Sequence, residues 1–174
     1  TTGNSNTVVG GSALTACISG AGNVAVGNSA LTAYTGSFTV AIGAQALNAQ
    51  ATGTLCTAVG YRAGFVATAG GGTFLGYSAG SGVTTGQNNT ILGSSAGGTV
   101  DGSQNVIVGR SATTAAANNY GVVIGDSASI AADSAVAIGQ ASSAASANSI
   151  ALGKSSSTTA ASAIAIGQAA SSTA

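Results

Sequence analysis

The chain has 174 residues, enough for one domain with a substantial core, yet only 3% are charged and the formal net charge is zero. Arg62, Arg110 and Lys154 are the only bases, Asp101, Asp126 and Asp133 the only acids, and His, Pro, Met and Trp are absent. Three cations cannot neutralise a phosphate backbone, which argues against nucleic acid as a partner, and no apolar run approaches the ~20 residues that cross a bilayer.

Low charge with abundant Gly, Ser and Ala is also the composition of disordered chains. The 45% hydrophobic fraction argues against disorder, and so does its regular placement. From the N-terminus onward a short aliphatic run ends on a glycine again and again: Gly10, Gly27, Gly43, Gly60, Gly76, Gly93, Gly109, Gly125, Gly139, Gly153 and Gly167. The spacings are 17, 16, 17, 16, 17, 16 and 16, then 14 three times. Fixed-period self-similarity marks stacked repeats. About eleven coils fill one continuous elongated unit, wider over residues 1–125 and narrower over 126–174. The chain opens on TTGNSN, in mid-pattern and without a basic-then-apolar leader, as a piece of a longer molecule would.

Each repeat predicts a short strand that ends just before its glycine, at Val9, Val26, Ile42, Val59, Leu75, Leu92, Val108, Ile124, Ile138, Leu152 and Ile166. Two residues earlier stand Val, Ile or Thr, types that suit a strand. Strands of this kind with no helical period between them predict an all-β parallel β-roll, or β-solenoid, with glycine at the corner. Three residues after each glycine comes a small residue, from Ala13, Ala30 and Ala46 to Ser142, Ser156 and Ala170, so two layers should approach closely there. The wider coils add residues near a second turn, as at Thr35-Gly36 and Asp101-Gly102.

The two aliphatic positions of each strand are expected to point inward, which turns the residue between them outward. That middle residue is apolar in every repeat, and a strand apolar on both faces is buried on both. A fourteen-residue coil is too thin to bury both alone. The expectation is an oligomer packed along its length through Ala25, Ala41, Ala58, Phe74, Ile91, Ile107, Val123, Ala137, Ala151 and Ala165. On that reading, Asp at Ala137 and Ala151 dissociates it.

Catalytic chemistry has little to work with. Without His or Glu, neither a Ser–His–Asp nor a Cys–His set can form, and three scattered acids make no metal cage. No cofactor is implied. Cys17 and Cys56 lie two to three coils apart, which at ~4.8 Å per coil exceeds the ~7 Å Cα limit for a disulfide. Both are read as unpaired. Tyr61 and Tyr77 fall in one phase on adjacent coils with Arg62 beside them, a candidate group for a sugar face. The plainer reading, and the favoured one, is a Tyr ladder that stabilises the rod. Arg110 and Asp126 are neighbours in phase and read as a surface ion pair. Ice binding needs an outward Thr column; Thr7, Thr57, Thr73 and Thr90 share a phase, but one assigned inward and filled elsewhere by Val or Ile.

The segments SAVAIGQAS (134–142), NSIALGKSS (148–156) and SAIAIGQAA (162–170) resemble the head repeats of YadA-type trimeric autotransporter adhesins. The longer repeats, such as NVAVGNSAL (23–31), TAVGYRAG (57–64) and NNTILGSSAG (88–97), resemble a related pattern of phage tail fibres and large bacterial surface proteins. The resemblance implies left-handed coils and three chains side by side around a three-fold axis. It also implies an extracellular setting, on a virion tail fibre or a bacterial surface. The function expected is non-enzymatic: an attachment-fibre segment that presents a homotrimeric β-solenoid to a host glycan or protein receptor. A purely structural shaft is the alternative, and an ice-binding solenoid stands behind it.

Overall fold

The computed structural model describes residues 3–115 and 117–173. Among these there are strands and turns and no helix. Eleven three-residue strands stack in one parallel sheet: β1 (Thr7–Val9), β2 (Val24–Val26), β3 (Val40–Ile42), β4 (Thr57–Val59), β5 (Thr73–Leu75), β6 (Thr90–Leu92), β7 (Val106–Val108), β9 (Val122–Ile124), β11 (Val136–Ile138), β13 (Ile150–Leu152) and β15 (Ile164–Ile166). A second parallel sheet holds five two-residue strands: β8 (Thr113–Thr114), β10 (Ser129–Ile130), β12 (Ser143–Ala144), β14 (Ser157–Thr158) and β16 (Ser171–Ser172). Equivalent residues pair throughout, Ala25 with Ala41, Ala41 with Ala58, and Ala137 with Ala151. The chain is a β-solenoid.

The second sheet starts at β8, one coil before the expected change of width at residue 125. In the wider coils the same side of the rod is built from consecutive turns, whose amides bond to the next coil. Leu31 N–H donates to Ala46 O at 3.0 Å, and Leu47 N–H to Ala63 O at 3.0 Å.

Two physical demands place glycine after the strands of the long sheet. Gly27 has φ +132°, a conformation closed to residues with a Cβ. A Cβ added there would also stand 2.6 Å from the carbonyl carbon of Gly43 on the next coil. Two residues on, the backbone turns left-handed again, now with side chains present, as at Ser29 (φ 56°) and Ser95 (φ 56°).

The core corrects the expected orientation of the strands. The middle residue points inward: Ala25, Ala41, Ala58, Phe74, Ile91, Ile107, Val123, Ala137, Ala151 and Ala165 are buried in their own chain, none more than 4% exposed. They line the solenoid lumen opposite the small residues that follow each glycine, from Ala30 and Ala46 to Ser142 and Ser156. They are not an interface between chains. The reason is volume. In the six coils where that residue is Ala, the two walls leave room for Ala against Ala or Ser, and the bulkier flanking residues stand outside; Phe74 and Ile91 enter the lumen where Gly64, Gly80 and Gly97 make room.

Where the core takes a larger side chain, a neighbour gives up its own. Ala25 and Ala41 share their coils with buried Leu31 and Leu47, whereas the phase of those leucines is Gly64, Gly80 and Gly97 near Phe74 and Ile91. A Cβ added at Gly64 would come within 2.8 Å of the Phe74 ring, and one at Gly97 within 2.6 Å of Ile91 Cδ1. Summed volume is conserved while its distribution changes.

Just before several of the long-sheet strands stand buried polar residues, among them Asn23, Thr39, Asn89, Asn105 and Ser149, whose groups find partners on neighbouring turns. Asn105 N–H donates to Asn89 Oδ1 at 2.9 Å. Asn105 Nδ2 donates to Asn118 O at 2.8 Å, while its Oδ1 accepts from Gly121 N–H at 2.8 Å. Such bonds replace the water these groups lose on burial.

Candidate functional site

With the middle residues turned in, the first and third residues of each long-sheet strand face outward. They form two parallel aliphatic columns that run the length of the rod. Ile42 (39%), Leu75 (47%), Leu152 (39%) and Ile166 (67%) show how much of each side chain meets solvent. Thr interrupts the aliphatics only at Thr7, Thr57, Thr73 and Thr90. The exposed apolar area is on the order of 1,000 Å², beyond the few hundred that a monomeric soluble protein ordinarily leaves bare. The Thr phase is therefore outward, contrary to the expectation above. It is nevertheless broken by aliphatics above and below, so no continuous hydroxyl array results.

Two rims flank this face. The leading rim is the residue five before each glycine, where the chain turns into the strand; the trailing rim is the residue after the glycine. On the trailing rim Tyr61 and Tyr77 stack as expected, with ring centroids 5.5 Å apart and planes 22° from parallel. Arg62 does not complete a three-residue pocket with them. Its guanidinium carbon lies 4.1 Å from the centre of the Phe65 ring, a cation–π contact. Further along the same rim the Arg110 guanidinium donates to the Asp126 carboxylate at 2.9 Å.

The leading rim holds residues that sequence reasoning passed over. Phe38 (66% exposed), Leu55 (66%) and Tyr120 (62%) sit there with φ of 59°, 62° and 59°. Elsewhere this position carries Ser5, Gly22, Gly71, Asn88, Ser134, Asn148 and Ser162, types common in turns, and once the longer Gln104. A bulky apolar residue in this conformation is an outlier that costs about 1–2 kcal/mol. The signal was present in the sequence as a departure from Ser, Asn and Gly in one phase. Reading it required knowing that the phase is a left-handed corner.

Charge contributes little else. Asp101 accepts hydrogen bonds from the Thr84 hydroxyl (2.6 Å), Thr84 N–H (2.8 Å) and Thr85 N–H (3.2 Å), and the first of these leads in holding its pKa below the usual value. Burial pushes the Tyr34 phenol above its usual pKa, although a 2.8 Å hydrogen bond with Thr39 opposes the shift. Among the described residues no group of His, Cys, Asp or Glu is arranged to hold a metal ion, and Cys17 and Cys56 are buried free thiols. Among the described residues no helix is long and apolar enough to cross a membrane.

The geometry defines a parallel β-solenoid repeat protein with one extended apolar face. No protein-family model, curated protein or solved structure matches the chain.

Proposed function

We propose that this chain is a segment of an extracellular attachment fibre, on a virion tail or a bacterial surface. In it three copies pack side by side through the outer aliphatic columns of the long sheet. The bare double column of Val, Ile and Leu carries the reading. An apolar strip repeating along eleven strands gains most by being covered, and a surface with the same ~4.8 Å repeat covers it best. A second copy has that repeat. The likeness of residues 134–170 to YadA-type head repeats supports three copies rather than two.

Native mass by light scattering tests the assembly. About 48 kDa, three times the 16.0 kDa chain, is expected. A monomer at micromolar concentration would overturn it.

Attachment then depends on what the rods present away from the packed face. The stacking of Tyr61 and Tyr77 on each other favours a second reading, a shaft that only spaces other parts. Binding of the isolated trimer to a glycan array supports attachment. No binding to glycans or to host-cell surface protein leaves the shaft.

A further inference from the structure

We propose that Leu55 on the leading rim of one copy meets Tyr61 on the trailing rim of its neighbour, and so sets the copies parallel with their coils at matching heights. This rests on the oligomer proposed above and adds the residues that fix its register. Phe38 and Leu55 occupy left-handed corners where most other coils place Ser, Asn or Gly, yet their side chains stand two-thirds exposed. The Phe38 ring lies over Gly22 of the preceding coil, but that contact leaves most of the side chain in solvent. The backbone strain is recovered only if another surface buries the side chains.

Their heights identify that surface. Leu55 and Tyr61 flank the same strand, β4; Phe38 stands one coil before Leu55, and Tyr77 one coil after Tyr61. The two rims are thus apolar together around β3 to β5. Away from this level the trailing rim turns polar, as at Asn28, Ser94, Arg110 and Asp126. Tyr120 has no apolar counterpart at its own height, where the trailing residue is Asp126. When identical rods pack parallel around an axis, the leading rim of one faces the trailing rim of the next. At equal height that brings Leu55 to Tyr61, Phe38 to Ala44 and Gly71 to Tyr77. A one-coil stagger would pair Phe38 with Tyr61 and Leu55 with Tyr77, but a constant stagger does not close a ring of identical rods. A shift of two or more coils, or an antiparallel pair, would set Leu55 against polar residues or against its own equivalent. The sheet face between the rims, on the order of 1,000 Å², matches the ~800 Å² per partner of a stable interface.

Two variants test the proposal on the full chain. Phe38→Asn with Leu55→Asn places a residue that tolerates the left-handed corner at both positions, so the fold is kept and circular dichroism verifies it. The trimer is expected to dissociate at protein concentrations at least roughly 30-fold higher than the parent, because three lost contacts of about tenfold or more each weaken the monomer–trimer constant about 1,000-fold and the midpoint follows its square root. Leu55→Cys with Tyr61→Cys is expected to give a covalent trimer on mild oxidation. Within one chain the extended β4 holds these positions beyond the ~7 Å bridging limit. An oligomer that forms no such link and whose assembly ignores the Asn pair overturns the register proposal and leaves the oligomer standing. Covalent dimers through Leu55→Cys alone also overturn it, in favour of an antiparallel pair. A parent chain that stays monomeric removes the oligomer, and this inference with it.

Discussion

Replacing Gly93 by Ala tests whether the coil spacing is set by the glycine column. Gly93 has φ +134°, and a Cβ there would lie 2.5 Å from the carbonyl oxygen and 2.7 Å from the carbonyl carbon of Gly109. Neither atom is free to move. Gly109 N–H donates to Leu92 O at 2.8 Å, and Gly93 N–H donates to Leu75 O at 2.8 Å. A normal contact requires the coils to part by the better part of an ångström, which stretches these bonds. Backbone strain of about 1–3 kcal/mol adds to about 1–3 kcal/mol of overpacking, for a total of ~2–6 kcal/mol. That is a large part of the ~5–15 kcal/mol by which domains are stable. Gly98, in the same coil, is the control. A Cβ there meets nothing within 4 Å and its φ is not in the left-handed range, so Gly98→Ala should stabilise by ~0.4–1 kcal/mol. Urea unfolding of both variants and the parent at one protein concentration gives the comparison, since oligomers unfold in a concentration-dependent way. Gly93→Ala within ~1 kcal/mol of the parent, or Gly98→Ala as damaging as Gly93→Ala, would refute the reasoning.

The orientation of the strands makes a paired prediction: Ala137→Asp, which places an unpaired carboxylate in the lumen, abolishes the fold, whereas Leu152→Asp, on the outer face, keeps the β-sheet circular dichroism and lowers the native mass to 16.0 kDa. A folded Ala137→Asp monomer would restore the opposite orientation. Because burial raises the pKa of Tyr34, the folded state holds that proton more tightly than the unfolded one. Its contribution is therefore fully present below about pH 10 and is lost as pH rises through the folded value. Tyr34→Phe should cost about 1 kcal/mol near neutrality, from hydrogen bonds to Ser37 O and Thr39, and should lessen the alkaline loss. Thermal melts of both chains from pH 8 to 11 make that comparison. Asp101 has the opposite sign: its lowered pKa gives a contribution present above the unfolded value of 3.8 and lost as pH falls through the folded one. Asp101→Asn should flatten that acid limb, and an unchanged limb in acid titration would remove Asp101 as its source.

Much of the rim chemistry could be read from phase alone. Tyr61 and Tyr77 stack because equivalent residues of adjacent coils must be neighbours, and Arg110 reaches Asp126 for the same reason. The placement of Arg62 over Phe65 could not be read that way. Those residues lie in one coil, and their approach depends on how the turn segment folds back on itself. The strained corner under Phe38 and Leu55 was likewise hidden, because a left-handed φ is a property of the coil path and not of Phe or Leu.

Apart from the five short strands of the second sheet, the sequence by itself determined the period, the number of coils, the position of each long-sheet strand and the glycine that ends it. Each of these follows from local conformational preference repeated at fixed intervals. Only the tertiary structure decided which side of the strand is the core. Alternation separates Ala137 from Val136 and Ile138 but assigns neither side to the interior, and with both sides apolar the hydrophobic effect does not choose. Width chooses. Opposing walls that meet at Ala and Ser leave space for Ala137 and Ala151, and Phe74 fits only because Gly64, Gly72 and Gly80 surround it. In the coils whose middle residue is Ala, the larger aliphatics are left outside, and there the apolar face that they form is a consequence of packing volume rather than of sequence pattern.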